Sequence, residues 1–354
     1  MDFLKDVIVI DASSVLAGPS VGSFLAELGA RVIKIENKKT GGDVTRHWHT
    51  PAEEKNQLSS YYASVNYKKE NIQLDLEEEL HTFKSHLKQA DILLTNFKTG
   101  DYKKFEIENS DLYKLNPRLI HGRIKGFHSE ENRVAYDVVL QAETGFMDLN
   151  GEQEGLPCKM PVALIDVLAA HQLKEGILIA LLQRSQSNRG SFVEVSLEKS
   201  ALSSLVNQAS YYLMTGNTPK RMGSKHPNIA PYGDIYWSAD KKAFVLAIGS
   251  DTQFLKLISL FKSEKLHSIQ YQTNTSRVEH RNELNAELSV LFSDFEMCEL
   301  KNHFLKLNIP FGEIKNISEV FQSANANEMI YEEEIEDTAT KRVKAIAFEI
   351  RNMI

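Results

Sequence analysis

Three pieces of the first 36 residues decide the fold: Val7-Ile8-Val9-Ile10-Asp11, Ala17-Gly18-Pro19-Ser20 and Arg31-Val32-Ile33-Lys34-Ile35-Glu36. The first is a short, fully apolar, β-branched run, the signature of a parallel strand covered on both faces. Asp11 ends it, and the Gly-Pro turn leads into a predicted helix from Val21 to Leu28 with small residues on one face. Gly29 stands where a helix takes a left-handed last residue. The third piece is a second strand closing on an acid. A right-handed crossover makes the two strands neighbours in one parallel sheet.

Outward from this unit, Asn37 to Ser60 is polar, with Gly41-Gly42 and Pro51 as breakers, and reads as a long loop or short irregular pieces. Leu76 to Gln89 predicts a charged surface helix, and Asp91-Ile92-Leu93-Leu94-Thr95 another buried strand. Asn116-Pro117 stops a short helix before a strand at Leu119 to Ile124. A long apolar helix follows over Ala163 to Gln183, then a strand over Ser191 to Leu197. This alternation predicts an α/β fold, a Rossmann-like doubly wound parallel sheet. Past Thr215 come loops, a strand at Ala243 to Ile248 and helices around 252–261, 281–292 and 294–307. Val343, Ala345, Ala347 and Phe348 alternate like a returning strand within Tyr331 to Ile354. The expected organisation is a large domain over 1–215, to which 325–354 returns, and a smaller α+β domain over 220–320.

The chain has 354 residues, 42% hydrophobic and 25% charged, which excludes wholesale disorder and a fibrous architecture. A net charge of −7 argues against a general nucleic-acid or anionic-membrane binder, though not against a local basic pocket. Cys158 and Cys298 are too few for a disulfide framework and lack metal-ligand spacing. The first residues have no signal-peptide pattern, and no stretch reaches the ~18 apolar residues of a membrane span. A cytoplasmic protein with no membrane or nucleic-acid partner is expected.

Gly18-Pro19-x-x-Gly22 with Glu36 invites a dinucleotide reading in which Glu36 holds a ribose. The full glycine pattern is absent and Pro19 lacks an amide for a phosphate, so a tight strand–helix turn is favoured. His47-Trp48-His49 has no Cys, Asp or Glu cluster to complete a metal site, and reads as a solvated loop. Asp166 lies in the apolar run Pro161-Val162-Ala163-Leu164-Ile165-Asp166-Val167-Leu168, where an unpaired carboxylate is costly. On pattern alone it is first a helix N-cap. A nucleophile or general base at a helix start is the other reading, and the two roles are compatible.

Several blocks stand in a recognisable order, beginning with Val15-Leu16-Ala17-Gly18-Pro19, Leu28-Gly29-Ala30-Arg31-Val32-Ile33-Lys34-Ile35-Glu36 and Gly42-Asp43-Val44-Thr45-Arg46. Leu74-Asp75-Leu76, Ala90 to Phe97, Tyr136-Asp137-x-x-x-Gln141-Ala142-x-x-Gly145 and Gly216-Asn217-Thr218-Pro219 continue it. This order resembles the family III CoA-transferases, a group with formyl-CoA and carnitine CoA-transferases and the related α-methylacyl-CoA racemases. The resemblance implies that Asp166 is the catalytic aspartate. It implies that Leu16 and Ala17 contact coenzyme A at the first turn, and that Leu74, Asp75, Asn96, Phe97 and Lys104 line its pantetheine and phosphate path. Arg133 and Tyr136 fall at further coenzyme-binding positions. It also implies an interlocked homodimer, acyl-CoA and carboxylic-acid substrates, no metal, and no permanently bound cofactor, coenzyme A being substrate and carrier.

The chain departs from the family pattern in places. Asn37 stands where a basic residue is frequent, and Leu16 replaces a glutamine. The turn after the fourth strand reads Gly126-Phe127-His128, and Ile248-Gly249-Ser250-Asp251 is the nearest stretch to a glycine-rich lid. Two alternatives to transfer follow. A racemase needs an acid–base group on each face of the α-carbon, and Tyr136 occupies the place of the racemases' histidine. A non-catalytic CoA-binding subunit is the other.

Overall fold

Strand β1 (Ile8–Asp11) sits inside a six-stranded sheet because both of its faces are apolar. It pairs in parallel with β2 (Arg31–Asn37), Ile8 opposite Arg31, across helix α1 (Ala17–Glu27). A computed structural model describes residues 2–55, 57–129 and 133–351. Helix α1 starts at Ala17, four residues earlier than the pattern suggested. Pro19 is harmless there, since the first amides of a helix have no partner within it. Gly29 takes the expected left-handed backbone, with φ +100°.

The stretch from 37 to 60 forms two short 3-10 turns, Lys38–Thr40 and Val44–His47, with Asn56 outside the described residues. Then come α2 (Ser60–Val65) and β3 (Lys69–Leu74), which pairs with β2. Next are α3 (Leu80–Gln89), β4 (Ile92–Thr95), α4 (Thr99–Lys104), α5 (Asn109–Leu115) and β5 (Ile120–Lys125). Helices α6 (Asp137–Glu143), α7 (Phe146–Leu149) and α8 (Leu164–Ser187) precede β6 (Phe192–Ser196), followed by α9 (Leu197–Ser203) and α10 (Val206–Thr215).

The sheet order is β3-β2-β1-β4-β5-β6, and every pairing in it is parallel. Successive residues of each strand point to opposite layers. Val9, Val32, Ile92 and Ile120 pack with Leu25 of α1 and Leu173 and Ile177 of α8. Ile10, Ile33, Ile35 and Leu93 pack with Phe83 of α3, Tyr102 of α4 and Leu112 of α5. Each such side chain, once buried, stabilises the fold by about 1.5–3 kcal/mol.

The chain forms two compact units: residues 1–146, 159–217 and 325–354 make the first, and 147–158 with 218–324 the second. In the second, β7 (Tyr232–Trp237), β8 (Ala243–Ala247) and β9 (Phe311–Glu313) form an antiparallel sheet. Its core is aromatic: Phe244 and Phe304 stand around Phe292 at ring separations of 5.2 and 6.0 Å. The returning segment of the first unit is a hairpin rather than one strand, β10 (Ile330–Ile335) and β11 (Thr338–Val343). Ala345 and Phe348 lie beyond its last strand, because Glu27 binds the Ala345 and Ile346 amides and so satisfies the backbone without a ladder. Residues 352–354, part of the same expectation, lie outside the described residues.

Candidate functional site

Connections run from β1 towards β3 on one side and from β4 towards β6 on the other, so the sheet has a switch point beside β1. Such a point leaves a crevice at the carboxyl ends of the strands, where open α/β sheets bind ligands. A cavity of about 580 Å³ occupies it, walled by Ser13 and Ser14 after β1, Asn37 at the end of β2, Asp75 after β3, and Phe97 and Lys104 after β4.

The turn after β1 is held on several sides. Val15 adopts φ +71°, a left-handed backbone that strains a β-branched residue. Asn96 fastens Ser14 at both ends, accepting from its amide at 3.0 Å and donating to its carbonyl at 2.9 Å. Asp43 accepts from the Val15 amide at 3.0 Å and caps Thr45 with its other oxygen. Below lie two buried ion pairs, Lys69 with Asp11 at 2.8 Å and Lys34 with Asp43 at 3.4 Å. Burial pushes the Asp11 carboxyl up, but Lys34 and Lys69 together outweigh it and hold it at about 2. Leu16 and Ala17 therefore enter α1 from a rigid turn. A side chain at Gly18 would strike Ser13, and one at Gly22 would meet the Asp11 carboxylate.

Glu36 is not free to hold a ribose. Its carboxylate is buried and accepts from Arg46 Nε and the Tyr62 hydroxyl, each at 2.7 Å. Arg46 also forks onto Glu336, at the hairpin tip between β10 and β11, at 2.8 and 2.9 Å. His47 is on the cavity wall, and a ring nitrogen of His49 bonds the Gln57 carbonyl at 2.9 Å.

Asp166 is not the cap of its helix. Ala163 occupies the N-cap position, and Asp166 is the third helical residue, in the first turn of α8. The cap comes from another element: Asp137 of α6 accepts from the Ile165 amide at 2.7 Å, across 28 residues of sequence. Asp166 is 8% exposed, and among the described residues no donor or cation is bonded to its carboxylate. Burial, then the charge of Asp137, raises its carboxyl to about 7. Tyr61 of α2 feels the charge of the same group. Burial, followed by Asp166, Asp137 and Asp43, pushes its hydroxyl up to about 12. Trp48 stands edge-on to Tyr61 at 5.1 Å.

The cavity brings together Asp75, Phe97 and Lys104, with Leu74 buried beside Asp75 at the end of β3. Its cations are already engaged: Lys39 pairs with Asp75 at 3.0 Å and with Glu77 at 3.2 Å, and Lys104 also pairs with Glu77. Leu16 and Ala17 lie where the first turn enters α1, and Asn96, just after β4, holds that turn through Ser14. Arg133 and Tyr136 do not line this cavity. Arg133 pairs with Glu143 and lies 4.2 Å over the Phe127 ring, and Tyr136 is half exposed just before α6. Tyr61 was not singled out from the sequence, nor were Asp137 and Gln141 as supports, since their partners are distant in the chain.

A doubly wound sheet in this order, with a crevice at its switch point and a buried carboxylate in the first turn of a long helix, is the architecture of α/β proteins that bind ligands at the carboxyl ends of their strands. The family model for CoA-transferase family III matches residues 4–353, and the chain belongs to that family as one of its enzymes. It is 33% identical over 328 residues to a succinate–glutarate CoA-transferase of Agrobacterium fabrum, covering 90% of this chain and 81% of that one. It is 30% identical over 320 residues to an acetyl-CoA:oxalate CoA-transferase of Acetobacter aceti, covering 88% and 81%. A CAIB/BAIF family protein from Brucella suis superposes with a TM-score of 0.85 at 31% identity, covering 97% of this chain and 91% of that one. The family resemblance read from the sequence and the expected parallel sheet are both borne out.

Proposed function

We propose that the enzyme moves coenzyme A from an acyl-CoA donor to a carboxylic acid through covalent intermediates on Asp166. The observation that carries this reading is the buried Asp166 carboxylate, with no bonded partner among the described residues and a carboxyl raised to about 7. Such a group is partly ionised at neutral pH and more basic than an ordinary carboxylate, which suits a nucleophile facing an activated thioester.

The steps balance as follows. Asp166 attacks the donor acyl carbon and expels the CoA thiolate, leaving a mixed anhydride. The thiolate attacks the Asp166 carbonyl, releasing the donor acid and forming an enzyme–CoA thioester. The acceptor carboxylate attacks that carbonyl, expels the thiolate again and forms a second anhydride. The thiolate then takes the acceptor acyl group, and Asp166 is regenerated as carboxylate. The first amides of α1, reached through Leu16 and Ala17, have no helical partner and are donors suited to the oxyanions. The cavity suits the nucleotide end of coenzyme A, with Asp75, Phe97 and Lys104 on its walls. Leu74 and Asn96 would support that path, and Arg133 and Tyr136 would meet the carrier from the α6 side.

The names of the relatives favour short dicarboxylates such as succinate, glutarate or oxalate as the acids exchanged. We place the reaction in the cytoplasm and in a homodimer. Helix α10 buries none of its residues, and Leu213 and Met214 on it are 78% and 85% exposed, an apolar face suited to a second copy.

Incubation with succinyl-CoA, acetyl-CoA and glutaryl-CoA, followed by intact mass measurement, tests the mechanism. A CoA-sized or acyl-sized adduct, released by hydroxylamine and absent from Asp166→Ala, is expected. Equal adduct in that variant refutes the assignment.

A further inference from the structure

Asp166 follows a segment that cannot position itself. Pro161 has no amide, and Ala163, at the N-cap of α8, has no side-chain acceptor for the first helical amides. Two side chains of α6 grip that segment on either side of Pro161. Asp137 accepts from the Ile165 amide at 2.7 Å and from Gln141 Nε2 at 2.6 Å. Gln141, fully buried, turns its oxygen the other way and accepts from the Met160 amide at 2.8 Å.

We propose that Asp137 and Gln141 are positioning residues for Asp166, forming a brace from α6 that sets the first turn of α8 and presents its carboxylate. This rests on the reading of Asp166 as the nucleophile. The polarity of the brace is determined end to end. Both backbone amides are donors, Asp137 contributes two acceptor oxygens, and Gln141 contributes one donor and one acceptor. An asparagine at 137 has a single acceptor. Whichever way it turns, an N–H group of Ile165, Gln141 or Met160 loses its partner.

The brace also places charge. Asp137 acts on the charge of Asp166 from α6, and Tyr61, on α2, is uncharged because its hydroxyl sits at about 12. Asp43, from the Gly42–Arg46 turn, reaches Tyr61, and among the described residues no lysine or arginine acts on Asp166. Asp137 is therefore the charge that adds to burial in keeping the Asp166 carboxyl basic. Losing it weakens the nucleophile as well as loosening it.

Two variants separate the roles: Asp137→Asn alters geometry and charge, Gln141→Met geometry alone. Each folded variant is read twice, by the rate of adduct formation from succinyl-CoA and by the pH midpoint of Asp166 labelling with a water-soluble carbodiimide, located by peptide mass. Carbodiimide coupling requires a carboxyl group but no transferase activity. Absence of adduct in the unmodified enzyme would therefore strike the nucleophile reading while leaving the brace measurable.

Asp137→Asn is expected to slow adduct formation at least tenfold and to lower the labelling midpoint by about one pH unit or more. Gln141→Met is expected to slow adduct formation with the midpoint unmoved. A purely structural role for Asp137 would lower stability while leaving both readouts per folded molecule at their original values, and that result overturns the proposal. Should Asp137→Asn fail to fold, adduct formation by Gln141→Met at the unmodified rate overturns it equally.

Discussion

Replacing Asp166 by asparagine should make the protein more stable, by an amount that grows with pH. An ordinary aspartyl carboxyl titrates near 3.8, and in this fold burial and Asp137 raise Asp166 to about 7. Below the lower value the folded and unfolded chains both hold the proton, and the site costs nothing. Between the two values the unfolded chain ionises first, so stability falls as pH rises. Above about 7 both states are ionised and the loss is complete. At about 1.4 kcal/mol per pH unit over roughly three units, the full penalty is about 4 kcal/mol. Asparagine has the same shape and no such titration. Urea unfolding of both proteins at fixed concentration, from pH 5 to pH 8, reads the difference. The gap should widen in favour of Asp166→Asn by about 2–3 kcal/mol, equivalent to a relative midpoint change of roughly 1 M. A gap that stays constant with pH, or that narrows, would refute the reasoning, because it would mean that Asp166 titrates like a solvated carboxyl. The gain should accompany loss of adduct formation, the trade of stability for a strained functional group.

Glu77→Gln should tighten coenzyme A binding and leave 3′-dephospho-CoA unchanged, since Glu77 engages both Lys39 and Lys104 at the cavity wall. Titration calorimetry with the two ligands checks it, and equal tightening for both would show that the lysines do not meet the 3′-phosphate. Arg46→Met should cost about 3–5 kcal/mol in denaturant unfolding, because Glu36 would remain buried without its cation. Glu336→Gln should cost much less, its carboxylate being half exposed.

The strands on either side of the switch point were legible because burial on both faces leaves an unmistakable apolar run, as in Ile8–Asp11 and Ile92–Thr95. Strand β3 was not read. It is a sheet edge with the sequence KENIQL, and its first residue spends its charge inward, on Asp11, Pro19, Val65 and Asn66. Asp166 stood out because a carboxylate in an apolar run is costly, which holds whatever its role. Its place in the helix was misread because the cap comes from Asp137, and a local pattern does not register a bond spanning 28 residues. Tyr61 stayed hidden for a similar reason. Among the polar residues between 37 and 65 an aromatic side chain gives no sign of coming under a distant carboxylate's charge until the chain is folded.

The hairpin that returns to the first unit also sets a timetable for its assembly. Arg46 precedes its partner Glu336 by 290 residues, and Glu27 precedes Arg342, Ala345 and Ile346 by 315 to 319. At a synthesis rate of about 5–20 residues per second, the older half of each contact waits on the order of 15–60 s for the newer half to be made. Throughout that interval Glu27 has Tyr67 as a partner but neither Arg342 nor the Ala345 and Ile346 amides, and Phe24 of α1 lacks Phe348. The sheet can form early, whereas the seal over the parallel-sheet unit is among the last contacts to close. The nascent enzyme therefore passes through an unfinished state in which a folding helper, or an aggregating neighbour, has time to act.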